Sequence, residues 1–183
     1  MTPEGFAIFE TSIGRCAIAW GPVGIVGLKL PERSDGALRA RMTKLHPDAR
    51  EMAVPQEVQA VVKDIQRLLA GGGGDLSTNV LDMARVPDFD RRVYTETRSI
   101  PPGETLTYGE IATRLGDQTL SRAVGQALGR NPFAIIVPCH RVVAAGGKAG
   151  GFSAVGGIET KRRLLEIEGA RALHPMLPWD RSP

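Results

Sequence analysis

Residues 107–129, TYGEIATRLGDQTLSRAVGQALG, predict two short helices joined by a tight turn. The first helix begins at a capping box, in which the Thr107 hydroxyl accepts from the Glu110 N–H and the Glu110 carboxylate accepts from the Thr107 N–H. It ends near Gly116, and a second helix runs from about Ser121 to Leu128. A helix, a short turn and a second helix rich in small residues are typical of a helix-turn-helix.

The residues before this motif predict a small α/β domain. A helix is expected from about Asp35 to His46, and a longer one from Pro55 to Ala70, where apolar residues recur at a spacing of three and four. The β-rich runs are separated by turns that contain glycine and proline, so we expect an antiparallel sheet. The predicted strands are Phe6–Glu10, Cys16–Trp20, Gly24–Leu30 and Asn79–Met83.

A domain boundary is predicted at Val86-Pro87-Asp88. One helix is expected from Pro87 to Ile100 and another from Ile158 to Glu168, so the second half of the chain is mostly helical. The fold class is therefore α+β. The predicted organisation is an N-terminal α/β domain over 1–85, a C-terminal domain over 86–170 and a tail over 171–183.

Composition indicates a soluble globular protein and excludes several other classes. The 183 residues are 42% hydrophobic and 23% charged, which argues against a disordered, collagen-like or coiled-coil chain. No apolar run approaches the roughly 20 residues that span a bilayer, and Met1 to Glu10 has no basic region before an apolar stretch. We therefore expect a cytoplasmic protein without membrane contact, in which Cys16 and Cys139 are free thiols.

The net charge of +3 is unevenly distributed. Residues 1–85 are neutral, whereas residues 111–163 carry eight Lys and Arg against two Asp and Glu, a net charge of +6. Such a stretch is suited to a polyanionic partner such as a nucleic acid. On charge alone, a solvated basic surface is the more common explanation.

Reactive residue types concentrate at Pro138-Cys139-His140-Arg141, directly after the apolar run 133–137. A cysteine in such a run is usually a buried core residue. Here Pro138 restricts the backbone, His140 supplies an acid/base group and Arg141 adds positive potential that favours the thiolate. These features predict that Cys139 is an activated nucleophile, whereas Cys16 alternates with apolar residues in a strand and is assigned to packing.

A histidine that serves a thiol needs a group that accepts its second N–H. If the segment is extended, Cys139 and His140 point in different directions, and a water molecule would have to bridge them. No Cys and His set has metal-ligand spacing, so we predict neither a metal site nor a cofactor. The carboxylates that could orient His140 are Glu159, Glu166, Glu168 and Asp180, of which Glu166 and Glu168 lie near the end of a predicted helix.

Four spaced motifs resemble the O6-alkylguanine-DNA alkyltransferase family, the methylated-DNA–protein-cysteine methyltransferases. The resemblance covers about residues 86–170 and implies an RNase H-like N-terminal domain and a winged-helix-like C-terminal domain with a helix-turn-helix. It implies a monomer that binds double-stranded DNA carrying O6-alkylguanine, flips the damaged base and accepts its alkyl group irreversibly, once per molecule. O4-alkylthymine is a second candidate lesion. The motifs are Thr107–Glu110, Arg122–Gly125, Asn131-Pro132 and Pro138–Val142.

The resemblance also implies individual roles. Cys139 would accept the alkyl group, and His140, oriented by Glu168, would relay the thiol proton through a water. Asn131 would support the active-site turn. Tyr108 would press on the phosphate 3′ to the lesion, and Arg122 would fill the gap that the extruded base leaves. The implied DNA contacts are Tyr108, Ser121, Arg122, Ala123, Gly125, Arg130 and Arg141, and the implied guanine pocket consists of Tyr108, Val142, Phe152 and Ser153.

Two functions from other classes compete with alkyl transfer. A non-enzymatic helix-turn-helix protein could sense lesions, but the related alkyltransferase-like sensors carry another residue at the acceptor position, and the Cys139 thiol argues against this. A cysteine hydrolase or acyltransferase would use Cys139 and His140 for turnover on an ester or amide. That hypothesis leaves Arg122 and the basic stretch unexplained.

Overall fold

A computed structural model describes residues 5–170 of the chain. Its N-terminal sheet has the order β3-β2-β1-β4. Adjacent strands β1, β2 and β3 are antiparallel, as predicted, and the short β4 pairs with β1 in parallel. The strands are β1 (Gly5–Thr11), β2 (Gly14–Trp20), β3 (Ile25–Lys29) and β4 (Arg50–Glu51).

Two helices pack on this sheet. The first, α1 (Asp35–Leu45), is capped by the Ser34 hydroxyl, which accepts from the Ala37 N–H at 3.1 Å. The second, α2 (Gln56–Leu69), buries one apolar face, as its spacing predicts. Residues Cys16 to Trp20 are all buried. Because successive strand residues point to opposite faces, both faces of β2 are covered.

The predicted strand Asn79–Met83 is wrong. Only Leu81 forms a bridge, with Ile25, and two backbone hydrogen bonds flank it, from the Ile25 N–H to the Val80 carbonyl and from the Asp82 N–H to the Ile25 carbonyl. The Asp82 carboxylate accepts from the Ala84 N–H at 3.0 Å and turns the chain immediately afterwards. Turn chemistry therefore limits the pairing to one residue.

The described residues divide into two compact units after Val86. The first unit extends to Val86 and also includes Pro132–Ile136, and the second contains Pro87–Asn131 and the residues from Val137 onward. The segment Pro132–Ile136 is tied to β3, because the Leu28 N–H donates to the Pro132 carbonyl at 2.8 Å and the Ala134 N–H to the Leu28 carbonyl at 3.2 Å. The predicted tail 171–183, including Asp180, lies outside the described residues.

The described part of the second unit contains four α-helices and a two-stranded parallel sheet, so the α+β class predicted from the sequence is confirmed. The elements are α3 (Asp88–Arg98), β5 (Leu106–Thr107), α4 (Tyr108–Arg114), α5 (Ser121–Gly129), β6 (Val142–Val143) and α6 (Ile158–Ile167). In this sheet Leu106 pairs with Val142 and Thr107 with Val143. The pairing places the start of α4 beside the turn that carries Cys139. Within residues 5–170, no helix is long and apolar enough to cross a membrane.

Candidate active site

The capping box predicted at the start of α4 is present. Thr107 Oγ1 accepts from the Glu110 N–H at 3.1 Å, and Glu110 Oε2 accepts from the Thr107 N–H at 2.6 Å. The bonds from the Thr107 backbone and hydroxyl lower the pKa of Glu110, so the carboxylate stays charged where the helix dipole favours it. This cap fixes Tyr108 in the first turn of α4, directly after β5.

The second helix of the motif presents its first turn to solvent. A short 3-10 helix, Gln118–Leu120, leads into α5, and the Asp117 carboxylate accepts from the Thr119 N–H at 2.9 Å at its start. Apolar residues on one side of α5 are buried, whereas Arg122 is exposed. The guanidinium of Arg122 is therefore available to an external partner.

Cys139 lies on a compact turn rather than on an extended strand. Cys139–Arg141 form a 3-10 helix, in which the Arg141 N–H donates to the Pro138 carbonyl at 2.8 Å. Asn131 Nδ2 donates to the Val137 carbonyl at 2.9 Å and braces the chain before the turn. The turn directs the side chains of Cys139 and His140 into different environments. Cys139 is partly exposed, whereas His140 is 1% exposed.

Glu168 holds both basic residues of this turn. Its side chain is 3% exposed, and Oε1 lies 2.9 Å from His140 Nε2. Arg141 Nε donates to Oε2 at 2.9 Å, and Nη2 donates to Oε1 at 2.8 Å. Arg141 Nη1 donates to the Ile100 carbonyl at 2.5 Å. Of the three candidate carboxylates within residues 5–170, Glu168 is the one bonded to His140.

These contacts determine the charge states of Glu168 and His140. Burial acts to raise the pKa of Glu168, but the bonds and charges of His140 and Arg141 outweigh it and lower the pKa to about 2. Burial lowers the pKa of His140, although the Glu168 bond and charge oppose the shift. Because burial is the largest influence on His140 and lowers its pKa, we assign a neutral imidazole at neutral pH.

The neutral His140 has one tautomer that suits these contacts. An ionised Glu168 can only accept, so Nε2 carries the proton and Nδ1 carries the lone pair. Nδ1 is buried, and no residue among 5–170 bonds it. His140 can therefore accept a proton at Nδ1 while Glu168 stabilises the resulting imidazolium at Nε2.

A cavity of about 1000 Å³ opens beside Cys139. It lies between α4, α5 and the 144–153 loop, and its wall combines apolar surface with a few polar groups, as ligand sites do. The Tyr108 ring lies against Gly125, where an added Cβ would come within 3.7 Å of it. The predicted site residues that line this cavity are Tyr108, Ser121, Arg122, Gly125, Cys139, Phe152 and Ser153.

Four residues that were predicted to contact DNA or to form the guanine pocket do not line this cavity. Arg141, predicted to contact DNA, has a buried side chain that is bonded to Glu168 and to the Ile100 carbonyl. Val142 is fully buried and its side chain does not line the cavity. Ala123 is half-buried on α5 outside the cavity wall. Arg130 is exposed, and its Nε and Nη2 donate to Asp90 at 3.0 and 2.8 Å.

Sequence reasoning missed Lys161, which is 0% exposed. Its Nζ donates to the Val142 carbonyl at 2.5 Å and lies 5.8 Å from the centroid of the Tyr108 ring. A signal for this burial was available, because Lys161 precedes Leu164 and Leu165 by three and four residues and so lies on the same helix face. The prediction treated it only as part of the basic stretch.

Cys16 occupies a different environment. It is fully buried in β2, with its Sγ 3.8 Å from Thr11 Oγ1. Burial raises the pKa of this thiol to about 12, although the Thr11 bond opposes the shift. Cys16 is therefore a neutral packing residue. Within residues 5–170, no group of three or more His, Cys, Asp or Glu side chains is arranged to hold a metal ion.

Residues 88–170 match the family model of the 6-O-methylguanine DNA methyltransferase DNA-binding domain. The methylated-DNA–protein-cysteine methyltransferase of Mycobacterium tuberculosis is 48% identical over 167 residues, which are 91% of this chain and 93% of the relative. Its namesake from Methanothermobacter thermautotrophicus is 36% identical over 83% of this chain and 78% of the relative.

Solved structures agree with these sequence matches. The crystal structure of Mycobacterium tuberculosis OGT in complex with DNA superposes with a TM-score of 0.74, covers 92% of this chain and 94% of that one, and is 35% identical in that superposition. The O6-methylguanine-DNA methyltransferase of Pyrococcus kodakaraensis gives a TM-score of 0.69 at 29% identity, over 90% of this chain and 99% of that one. This chain belongs to the methylated-DNA–protein-cysteine methyltransferase family.

Proposed function

We propose that this chain repairs O6-alkylguanine in double-stranded DNA by transferring the alkyl group to the Cys139 sulfur, once per molecule. The observation that carries the proposal is the position of Cys139. It is a partly exposed thiol in the wall of a cavity, and the adjacent His140 is oriented by Glu168 behind that wall. The cavity is large enough to hold a nucleobase outside the duplex.

The transfer is a displacement at saturated carbon. The Cys139 thiol loses its proton through a water to His140 Nδ1, and the thiolate attacks the alkyl carbon. A carbon–sulfur bond forms while the bond from carbon to guanine O6 breaks, and the electron pair leaves with the guanine, which takes up a proton. The product thioether is a very poor leaving group, so the protein is consumed.

The alkyl group must first leave the base stack, because sulfur cannot approach it in line inside the duplex. We assign Arg122 to this step, since its exposed guanidinium stands at the cavity wall and can stack in the vacated space. Tyr108 would press on the neighbouring phosphate. Small residues on α5, with Ser121, Ala123 and Gly125 in its first turns, would let the helix approach the minor groove closely.

DNA affinity would come from the basic stretch 111–163, which would contact phosphates and includes the exposed Arg130. We assign an RNase H-like N-terminal domain over 1–85 and a winged-helix-like domain over 86–170.

The Val142 backbone and the side chains of Phe152 and Ser153 would hold the guanine. The protein would act as a cytoplasmic monomer without a cofactor, and O4-alkylthymine is a second candidate lesion.

The test is intact-protein mass spectrometry after incubation with excess duplex that contains O6-methylguanine. We expect each chain to gain one methyl group, with transfer stopping when all chains are modified. The Cys139→Ser variant should bind the same duplex without gaining mass. Unchanged protein mass with continued loss of the lesion would instead indicate turnover, and binding by the wild type without loss of the lesion would indicate a sensor.

A further inference from the structure

One exposed arginine at the end of α5 is held by a buried carboxylate. Asp90, in the first turn of α3, has a side chain that is 3% exposed, whereas the Arg130 side chain is 58% exposed. Arg130 Nε donates to Asp90 Oδ2 at 3.0 Å, and Nη2 donates to Oδ1 at 2.8 Å. Two parallel bonds to one carboxylate fix the plane of a guanidinium as well as its position. Arg130 therefore has a defined orientation although more than half of its side chain is exposed.

These two bonds occupy only the inner edge of the guanidinium. An arginine side chain carries five N–H donors, of which Asp90 takes one on Nε and one on Nη2. Among the described residues, both side-chain bonds of Arg130 go to Asp90. The two N–H groups of Nη1 and the second one of Nη2 lie on the edge that faces away from the carboxylate. That outer edge can donate two parallel hydrogen bonds to one phosphate.

The end of α5 is attached to α3 by other contacts as well. The Tyr94 hydroxyl of α3 donates to the Ala127 carbonyl at 3.0 Å, and both residues are buried. Val124 and Leu128 are buried on the same helix. An ion pair with a buried member adds little net stability, because the buried group loses its hydration. Stability alone therefore does not account for a buried carboxylate at position 90.

The surroundings of Arg130 favour an anionic partner. Arg130 is the C-cap of α5 and follows Arg122 by eight residues, which is about 12 Å along the helix axis. Both arginines belong to the basic stretch 111–163, with its net charge of +6. The cavity wall includes residues of α5 from Ser121 to Gly129, the residue before Arg130. A duplex whose extruded base enters this cavity would run beside α5 and bring backbone phosphates within reach of Arg130.

We propose that Asp90 is a positioning residue for DNA binding, which holds the inner edge of Arg130 so that the outer edge receives one backbone phosphate. Asp90 does not touch DNA in this arrangement and acts through Arg130. An arginine that is already oriented loses less side-chain entropy on binding than a mobile one. The inference rests on the proposed function only in that DNA is the partner, because the role of Asp90 can be measured on undamaged duplex, where no alkyl group is transferred.

The test is the binding of undamaged duplex DNA by Asp90→Asn, measured over a series of salt concentrations. Charge alone predicts tighter binding, because the variant loses a negative charge. The positioning role predicts the opposite sign. We expect binding to weaken by about threefold or more, and the slope of log affinity against log salt to become shallower by up to about 0.9.

Asp88→Asn is the matched control. It removes the same charge from the same turn of α3, but the Asp88 side chain is 96% exposed and lies 3.7 Å from Arg91 Nη2 rather than on Arg130. This variant should bind the duplex as tightly as the wild type or slightly more tightly. Equal affinities of Asp88→Asn and Asp90→Asn would overturn the role of Asp90.

Arg130→Lys tests the orientation without changing the buried residue, so it decides the question if thermal unfolding shows that Asp90→Asn does not fold. It keeps the charge, but an ammonium cannot bond a carboxylate and a phosphate through two fixed edges. We expect weakening similar to that of Asp90→Asn, and little further loss when the two are combined. Wild-type affinity and salt slope in Arg130→Lys would overturn the proposal. Failure of the wild type to accept a methyl group, with weakened binding in both variants, would reject the proposed function and leave the role of Asp90 standing.

Discussion

The two cysteines of this chain have similar sequence surroundings and opposite chemistry. Each lies beside apolar residues and close to an arginine. Cys16 is sealed in the central strand of the first unit, where burial raises its pKa to about 12. Cys139 opens into a cavity of the second unit, next to a buried acid/base pair and near a buried lysine. Reactivity therefore follows from access and from compensating charge, rather than from the residue type.

The arginines near the two cysteines do not account for the difference in reactivity either. Arg15 pairs with Glu10 at 3.0 Å and also with Asp35, and Arg141 pairs with Glu168. In both units the arginine within two residues of the cysteine is already bonded to one or two carboxylates. The difference between the thiols therefore comes from access and from His140, which the sequence-distant Glu168 holds in place.

The largest expected effect separates the two thiols directly. Cys139→Ser should abolish methyl transfer, because a neutral hydroxyl is a far weaker nucleophile than a thiolate. Cys16→Ser should keep full transfer and lose only a little stability, since the hydroxyl is buried beside Thr11. The measurement is single-turnover transfer from a methylated duplex, with thermal unfolding of each variant. Loss of transfer in Cys16→Ser at unchanged stability would contradict the comparison.

Removing the negative charge of Glu168, which bonds His140, should have the next largest effect on methyl transfer. Glu168→Gln leaves Arg141 unpaired and cannot stabilise an imidazolium, so we expect the transfer rate to fall by about 100-fold and the protein to lose roughly 3 kcal/mol of stability. The control is Glu166→Gln, at an exposed carboxylate of α6 that pairs with Arg162. Equal rates in the two variants would refute the role of Glu168.

Arg122→Ala should have a smaller and substrate-dependent effect. We expect repair of a lesion in duplex DNA to slow by about tenfold or more, because base extrusion costs a few kcal/mol that the guanidinium offsets. Attack on the free O6-methylguanine base should stay close to the wild-type rate, since no extrusion is needed. The ratio of the two rates is the measured quantity. An equal loss on both substrates would place Arg122 in the chemical step instead.

The smallest expected effect concerns the alkylated protein. Burial lowers the folded-state pKa of Lys161 to about 8, and the charge of an ionised Cys139 opposes this shift. Alkylation leaves a neutral thioether at Cys139, so the pKa of Lys161 should fall further. Because a depressed lysine pKa penalises the protonated folded state, alkylation should destabilise the protein below pH 8, by about 1.4 kcal/mol for each pKa unit.

This penalty should disappear as the pH rises through 8, where Lys161 is neutral before and after alkylation. Thermal unfolding of both forms between neutral and alkaline pH measures the difference, which amounts to about 2–4 °C for each kcal/mol. Lys161→Met is the control, and its two forms should differ equally at every pH. A pH-independent difference in the wild type would show that Lys161 does not contribute.

Local sequence patterns predicted most of the elements. The capping box at Thr107 and Glu110, the apolar face of α2 and the stop of α1 near Pro47 depend on neighbouring residues, and all three are present. The prediction of a strand at Asn79–Met83 was wrong because the Asp82 carboxylate accepts from the Ala84 N–H and turns the chain directly after the one bridge at Leu81. The alternation of residue types along a strand does not reveal where a side chain bonds the backbone and so competes with strand pairing.

The site was only partly predictable, for a different physical reason. Motif spacing indicated Cys139 and His140, but the choice of Glu168 over Glu166 depends on which carboxylate turns inward at the end of α6. The burial of Arg141 and Lys161 depends on contacts with Ile100 and Val142 that no local pattern records. Ile135, a β-branched residue at φ 69°, is another feature that only the tertiary structure imposes.

The most direct test of this account compares both thiols within one protein. The native chain is treated with iodoacetamide at a series of pH values, and the label on each cysteine is quantified by peptide mapping. We expect Cys139 to be labelled at a rate that follows its thiolate fraction, while Cys16 stays unmodified until the protein is unfolded. Labelling of Cys16 at a comparable rate in the folded protein would contradict it.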